Sequence, residues 1–301
     1  MSRGPNATLI DLLHLGRERA IGCWDLGGVL VDPGPESCLE TLLTSLDTEP
    51  RALLLTHIHL DHAGASGALV ERFPALEVWV HSNGASHLAD PAKLVSSAER
   101  LYGDDMKRLW GAVRPVPERS LRRLDGGETI SLNDRHVEVT YAPGHASHHV
   151  VYFDPADRTA YAGDVAGVRI PPCELILAPT PPPDIDLEAW GRSLELVRAM
   201  RPAWLALTHF GSVEACDAHL DGMLDSLLLQ ARSAKALLEE ADEGGEEVAL
   251  QSFVAETVAR IDRTCDPRTA AVYKQTAPPD QIWLGLARYW KKREAAERTA
   301  R

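Results

Sequence analysis

The sequence predicts an α/β protein with a helical C-terminal region. Short apolar runs alternate with turn signals and helix-forming segments over the first two thirds of the chain. Side chains of metal-binding type follow four of the predicted strands directly. After Gly211 the composition is helix-forming. Strands that alternate with helices, followed by helices alone, are typical of an α/β domain with a helical extension.

The strand predictions rest on short apolar or alternating runs bounded by turn residues. These runs fall at residues 7–13, 20–24, 28–32, 52–56, 77–81, 129–132, 136–141, 150–153, 159–162 and 203–208. Helices are predicted at 36–46, 65–73 and 187–200, and in an insertion at about 85–121. The Pro-rich stretch 170–184 cannot hold regular structure for long, and loops of that length are often functional.

Composition limits the functions that the chain can have. Its 301 residues suffice for one domain with an extension, expected at 1–211 and 212–301. The formal net charge of −13 argues against nucleic-acid binding, and no apolar run is long enough to span a bilayer. Five scattered cysteines without a C-x-x-C pair predict free thiols and a cytoplasmic location. We expect a small-molecule substrate, no nucleic-acid or membrane partner, and a homodimer contact through the aromatic C-terminal helix.

The motif T-H-I-H-L-D-H, from Thr56 to His62, directly follows the buried run A-L-L-L. His57 and His59 are two apart in an extended segment and can point the same way. Asp61 and His62 come after a bend and can face a second position about 3.5–4 Å away, the usual spacing in two-metal sites.

Three later strand ends supply side chains of the same type. His145 follows the strand at 136–141, Asp164 follows the strand at 159–162, and His209 follows the strand at 203–208. Imidazoles and carboxylates without cysteine suit zinc, iron or manganese. His148 and His149 lie beside His145 and are expected to support its site. Four histidines lack this context and are expected to be structural or exposed: His14, His87, His136 and His219. His81 also follows a strand but has no second neighbour of ligand type, so it is not a candidate ligand.

These residues resemble the metallo-β-lactamase superfamily, most closely its glyoxalase II-like branch. The motifs T-H-I-H-L-D-H, P-G-H, G-D and T-H-F-G follow in the family's order, over roughly residues 7–211. The phrases G-D-V-A-G-V-R and P-P-D-I-D-L-E-A-W resemble a bacterial and archaeal subgroup. The resemblance implies an αββα sandwich, the metallo-β-lactamase fold, with a metal site at one edge of its two sheets and a C-terminal helical extension.

The resemblance also implies a role for each residue. Three histidines would hold one metal ion: His57, His59 and His145. Asp61, His62 and His209 would hold a second ion, and Asp164 would bridge the two. Two divalent ions, with zinc expected and iron or manganese as alternatives, lower the pKa of a bridging water from about 15.7 to near 7. The hydroxide, oriented by Asp61, would attack a small thioester, ester or lactone.

Other functions of the same superfamily remain open at this point. A persulfide dioxygenase would use a single iron, held by two histidines and an aspartate, for O₂ chemistry. A nuclease is disfavoured by the net charge, and a non-catalytic module would be expected to have lost some ligands. Aspartate at position 164, where zinc β-lactamases often have cysteine, argues against antibiotic hydrolysis. The loop around Cys173 and the insertion at 85–121 are the expected substrate walls.

Overall fold

The strands of the described residues form two six-stranded sheets. A computed structural model describes residues 5–132, 135–241 and 245–299. The first sheet contains, in spatial order, β1 (Thr8–Asp11), β2 (Gly22–Asp25), β3 (Val29–Val31), β4 (Ala52–Leu54), β5 (Glu77–His81) and β6 (Leu121–Leu124). The second contains β7 (Thr129–Leu132), β8 (Arg135–Tyr141), β9 (Val150–Asp154), β10 (Thr159–Tyr161), β11 (Trp204–Leu207) and β12 (Gly211–Val213). Strands β3 to β6 pair in parallel, as do β10 and β11.

Helices pack on the outer faces of both sheets. In chain order they are α1 (Leu39–Ser45), α2 (Leu60–Ala63), α3 (Ser66–Arg72), α4 (Ser82–Ala89), α5 (Ala92–Tyr102), α6 (Met106–Trp110), α7 (Leu187–Ala199), α8 (Cys216–Glu240), α9 (Glu246–Thr264), α10 (Pro267–Thr276) and α11 (Pro279–Thr299). In β4, Leu54 points between the sheets and Leu53 points to the helical layer. Because successive side chains of a strand alternate between faces, the apolar run A-L-L-L fills both cores. The predicted αββα sandwich is confirmed.

All ten predicted strands are present, with ends shifted by a few residues. The insertion at 85–121 is helical, as α4 to α6, and 170–184 contains no helix or strand. Two strands were not predicted. The first is β6, whose Arg122 and Arg123 break the apolar pattern because it is an edge strand; their partners are Glu77 and Glu118. The second is β12, a three-residue strand that pairs with β11.

The expectation of five free thiols is wrong for two of the cysteines. Cys173, in the Pro-rich loop, forms a disulfide with Cys265, which lies between α9 and α10. The two residues are 92 positions apart, and their 5.5 Å Cα–Cα distance depends on how the C-terminal helices fold back, which spacing alone does not reveal. Cys23, Cys38 and Cys216 are free and buried.

The disulfide also removes the basis on which a reducing compartment was inferred, and the cytoplasmic location stays a prediction. Among the described residues, no helix has both the length and the apolar character needed to cross a membrane.

Candidate metal centre

All seven predicted residues lie together at one edge of the sandwich. They follow β4, β8, β10 and β11 directly or within a short turn and are, in chain order, His57, His59, Asp61, His62, His145, Asp164 and His209. A strand fixes the backbone up to its last residue, so the turn beyond it aims its side chains reproducibly. Four such turns therefore meet at one place although they are far apart in sequence.

Three histidine rings converge on one point. The Nδ1 atom of His59 lies 3.1 Å from Nε2 of His57 and 2.9 Å from Nε2 of His145. Burial lowers the pKa of all three rings, that of His59 to about 4, and the neighbouring histidines reinforce the effect at His57 and His59. The rings are therefore neutral near pH 7, which is the form in which imidazole binds a metal ion.

A second group of three lies beside the first. Nε2 of His62 is 3.7 Å from an oxygen of Asp61, and Nε2 of His209 is 3.4 Å from the same oxygen. Asp164 lies between the two groups: one of its oxygens is 3.2 Å from His62 and 3.5 Å from His209, and its other oxygen is 3.4 Å from His145. This is the arrangement expected of a carboxylate that bridges two positions.

The second ring nitrogen of four of these histidines is held by an outer partner. The partners are Thr56 Oγ1 for His57 (3.0 Å), Asp32 Oδ2 for His62 (2.8 Å), Pro179 O for His145 (2.9 Å) and Ala20 O for His209 (2.7 Å). In each case Nδ1 faces outward and Nε2 faces the centre. Outer hydrogen bonds of this kind fix the tautomer and the orientation of metal-binding histidines.

Asp32 is a functional residue that the sequence reasoning missed. Its fully buried carboxylate accepts hydrogen bonds from Thr56 N (2.8 Å), Thr56 Oγ1 (2.7 Å), Thr208 Oγ1 (2.9 Å) and the ring of His62. Its φ of 52° lies in the left-handed region, which an aspartate adopts at a cost. The sequence contained a signal for this role: Asp32 opens the turn-forming stretch D-P-G and directly follows the buried strand β3.

The carboxylates near His62 give the second group negative charge that a metal cation can balance. Burial alone would lower the pKa of His62, but the carboxylates of Asp164, Asp61 and Asp32 outweigh it and raise that pKa well above its usual value. The pKa values of Asp61 and Asp164 are lowered because their charged histidine neighbours outweigh the opposing effect of burial. Both carboxylates are thus ionised, and in the absence of a metal ion the protons on His62 and His209 balance their charge; a divalent ion that binds there displaces those protons.

The donor set fits divalent metal ions. Nε2 of His62 and Oδ1 of Asp164 are buried, face each other at 3.2 Å, and have no hydrogen-bond partner of acceptable geometry among the described residues. Buried polar atoms are rarely left in this state unless an ion or water satisfies them. Imidazole nitrogens together with ionised carboxylates suit zinc, iron or manganese.

The wider sequence identifies the family. Residues 25–209 match the model of the metallo-β-lactamase superfamily, more than half of the chain. The chain belongs to the metallo-β-lactamase superfamily. All seven candidate metal ligands, from His57 to His209, lie within the matched range.

Two curated members of the superfamily show how far the sequence similarity extends. A metallo-β-lactamase fold-containing protein from Sulfurisphaera tokodaii is 28% identical over 215 residues, which are 69% of this chain and 78% of the relative. Hydroxyacylglutathione hydrolase GloC from Haemophilus influenzae is 29% identical over 145 residues, which are 47% of this chain and 63% of the relative. The glyoxalase II-like resemblance therefore rests on about half of the chain.

Two solved structures extend the comparison to the fold. The archaeal superfamily member from Sulfolobus tokodaii has a TM-score of 0.65 at 25% identity, covering 75% of this chain and 86% of that one. A metallo-β-lactamase family protein from Thermus thermophilus has a TM-score of 0.63 at 19% identity, covering 97% and 95%. The second likeness shows the fold alone, and it includes nearly all of the residues after β12.

The histidines outside the seven candidate ligands differ in their burial and in their contacts. His149 is fully buried, and its ring stacks on His57 with centroids 4.9 Å apart. His148 is also buried and lines the approach to the centre. Of the histidines expected to be structural, His14 and His219 are buried and hydrogen-bonded to main-chain carbonyls, and His136 is exposed.

A cleft of about 1050 Å³ opens onto the centre, with His59, Asp61 and Asp164 on its floor. The insertion at 85–121 forms one of its walls, as predicted. The Pro-rich loop forms another, but through residues 179–184 and not around Cys173, which does not line the cleft. Two further walls were not predicted: the turn at 14–17 and parts of α10 and α11. The C-terminal helices therefore take part in the binding cleft.

Proposed function

We propose that this chain is a dinuclear metal-dependent hydrolase of small thioesters, esters or lactones. The observation that carries the proposal is the pair of three-residue groups joined by Asp164. A single metal ion needs one such group, so the second group favours two ions about 3.5–4 Å apart. The curated relatives named hydroxyacylglutathione hydrolase support hydrolysis of an acyl compound.

The residues of the centre would divide the work between them. Bound divalent ions supply a water that is ionised near neutral pH and polarise the acyl carbonyl. Asp61 is the exposed carboxylate of the floor, with 22% of its side chain accessible. Because it is ionised, its free oxygen can accept a hydrogen bond from the attacking water and orient it toward the cleft. His59 lies beside it and fixes the other side of the approach.

The substrate is a small molecule that enters the cleft, and nucleic acid is not a partner. The cytoplasmic location and the homodimer contact stay predictions, and the aromatic side chains of the C-terminal helix, Trp283, Tyr289 and Trp290, pack against the core of their own chain. The αββα core keeps the site dry from behind because His57, His62 and His145 are at most 1% exposed.

The test is a hydrolysis assay on purified protein with a panel of thioester, lactone and phosphodiester substrates. We expect thioester or lactone turnover in the native protein and a loss of at least about 100-fold in His59→Ala, since it removes one ligand of the first group. His136→Ala is the matched control, because His136 is exposed and, among the described residues, its ring is hydrogen-bonded to Ser131 and not to the candidate metal centre. Turnover that survives His59→Ala would contradict the proposal.

The panel also separates the remaining alternatives. A protein that consumes O₂ with a persulfide and carries about one iron is a dioxygenase, and the second group then has no catalytic ion. Phosphodiester cleavage without thioester or lactone turnover identifies a nuclease.

A further inference from the structure

The turn at 13–16, which follows β1, contains two exposed leucines in a strained backbone conformation. The φ values of Leu13 and Leu15 are 50° and 55°, in the left-handed region. A leucine adopts this region at a cost in free energy, because its Cβ comes too close to the following carbonyl oxygen. The two residues are 44% and 38% exposed, so burial in a core does not compensate for that cost. Leu15 lines the cleft above the candidate metal centre, whereas Leu13 does not.

The residue between the two leucines, His14, holds the turn in place. Its buried ring donates a hydrogen bond from Nε2 to Leu109 O at 2.9 Å and accepts one at Nδ1 from Gln275 Nε2 at 3.1 Å. The same ring stacks on Trp110 with centroids 5.3 Å apart. A strained backbone persists where its surroundings fix it in this way, and such segments cluster at functional sites. The contacts of His14 with α6 and α10 therefore keep Leu15 at the cleft.

Leu101, on α5, is a second apolar side chain that the cores do not use. It is half-buried and lines the cleft, and in the described part of the chain it packs against neither of the two cores. Leu94 of α5 and Leu109 of α6 also line the cleft, but they pack partly against the larger core. Lys93 and Arg100 on the same wall are exposed and can extend their charged groups into water. Leucines from three elements thus present apolar surface to the cleft.

The apolar surface continues to the floor of the cleft. Ile58 and Leu60 flank His59 in the chain, and both of them line the cleft. They are almost fully buried, so the surface that they offer is confined to the floor itself. An apolar group of a ligand can therefore lie against the walls while the group bonded to it reaches His59 and Asp61.

We propose that the cleft binds an acyl compound that carries an apolar chain or ring next to its reacting carbonyl. This inference rests on the proposed hydrolase function. The cleft volume of about 1050 Å³ is at the upper end for small-ligand sites and larger than a short acyl group needs. An apolar group that covers Leu15 and Leu101 removes their exposed surface from water together with its own, which favours binding.

The reaction balances without a further reactant. The oxygen of water forms a bond to the acyl carbon, and in a thioester the carbon–sulfur bond breaks. The thiolate leaves with the electron pair of that bond. One proton of the water protonates the thiolate, and the other is released from the carboxylic acid.

The test compares three uncharged thioesters. S-ethyl thioacetate is short on both sides, S-ethyl octanethioate has a long acyl chain, and its isomer S-octyl thioacetate has a long leaving group. We expect kcat/KM to be at least about tenfold higher for one of the long thioesters than for the short one, since each fully buried methylene contributes up to about fourfold. The preferred isomer tells whether the apolar group lies on the acyl side or on the leaving-group side. Equal values for all three thioesters would overturn the inference.

The turn itself offers a matched pair of variants. Leu15→Asn and Leu13→Asn both replace an exposed leucine of left-handed conformation by a residue that adopts this conformation more readily. Both variants should therefore be at least as stable as the native protein, which thermal unfolding checks. We expect Leu15→Asn to lower the preference for the long thioester about fivefold or more, and Leu13→Asn to keep it. Loss in both variants, or in neither, contradicts the assignment.

A second pair of variants tests the opposite wall. Leu101→Gln removes the apolar side chain of α5 from the cleft, and Leu228→Gln makes the same change at an exposed position of α8 outside the cleft. Leucine and glutamine have similar helix propensities, so the helices are retained. We expect the preference for the long thioester to fall in Leu101→Gln alone. A preference that persists in Leu101→Gln, or falls in Leu228→Gln, contradicts the role of this wall.

A binding measurement separates this inference from the proposed function. The thioethers S-octyl-N-acetylcysteamine and S-ethyl-N-acetylcysteamine differ in chain length and contain no thioester to hydrolyse. By titration calorimetry, we expect the octyl compound to bind at least about tenfold more tightly, with a negative heat-capacity change that marks apolar burial. Such binding, weakened in Leu15→Asn, supports the apolar site even if no thioester is hydrolysed. Hydrolysis of S-ethyl thioacetate without tighter binding of the octyl compound leaves the hydrolase function intact and overturns the apolar site.

Discussion

The rings of His62 and His145 are held from behind by two very different parts of the molecule. His62 donates to the carboxylate of Asp32 at 2.8 Å, and His145 donates to the main-chain oxygen of Pro179 at 2.9 Å. Asp32 follows a strand in the centre of the first sheet, whereas Pro179 lies in a loop without regular structure. The two groups of the centre therefore depend on different supports.

The Asp32 support is built into the two sheets. One carboxylate joins Thr56, which follows β4 of the first sheet, to Thr208, which follows β11 of the second. The same carboxylate holds His62. Because all three partners are fully or almost fully buried, this support is rigid and independent of the C-terminal helices.

The Pro179 support is made by the C-terminal helices. The side-chain amide of Gln230, on α8, pairs with both N and O of Ala178 at 3.0 Å each. The hydroxyl of Thr180 donates to Ile282 O on α11, also at 3.0 Å. The disulfide of Cys173 ties the start of the same loop to the end of α9. The C-terminal helices thus hold the loop that positions His145, a candidate metal ligand that lies outside these helices.

The largest effect is expected for Asp32→Asn, which keeps the shape and removes the charge. We expect the free energy of unfolding to fall by about 3 kcal/mol and zinc affinity to fall about 10- to 100-fold, because a buried carboxylate with four donors loses its charge-assisted bonds. Urea unfolding measures the free energy of unfolding, and a competition titration with a chelator measures the zinc affinity. Asp25→Asn is the control, since the Asp25 carboxylate accepts a hydrogen bond from Gly28 N in a turn of the first sheet; an equal loss of zinc affinity there would refute the role of Asp32.

A smaller effect is expected for Gln230→Met, which keeps the volume of the side chain and removes its amide. Two hydrogen bonds to Ala178 are lost, so stability should fall by about 2 kcal/mol and zinc affinity about tenfold. The control is Gln251→Met on α9, where the exposed amide donates a hydrogen bond to Glu247. If stability falls while zinc affinity stays unchanged, Gln230 is a packing residue and the second support does not reach the centre.

The effect with the sharpest sign concerns Gly285 on α11. A β-carbon there would overlap the carbonyl oxygen of Thr180, whereas a β-carbon at Gly191 on α7 would meet nothing within 4 Å. Gly285→Ala should destabilise the protein by about 1–3 kcal/mol through overpacking, although alanine favours helices. Gly191→Ala should stabilise it by up to about 1 kcal/mol. Thermal unfolding of both variants measures the two changes in stability. A Gly285→Ala variant that is as stable as the native protein, or more stable, would mean that α11 does not press on the loop.

The sequence predicted the centre better than its supports. The string from His57 to His62 is local, and three further strand ends carry His145, Asp164 and His209, so strand prediction was sufficient to bring the seven together. Gln230 and the disulfide could not be predicted, because their partners lie 52 and 92 positions away and meet only after the C-terminal helices have packed. Asp32 could have been predicted from its place after a buried strand.

The metal content of the purified protein tests the central claim most directly. Elemental analysis of protein loaded with zinc and freed of excess ions should give about two ions per chain. The variants His145→Ala and His209→Ala, one from each group, should each give about one. A native protein that holds no more than one ion, or variants that lose both ions or neither, would contradict two metal positions joined by Asp164.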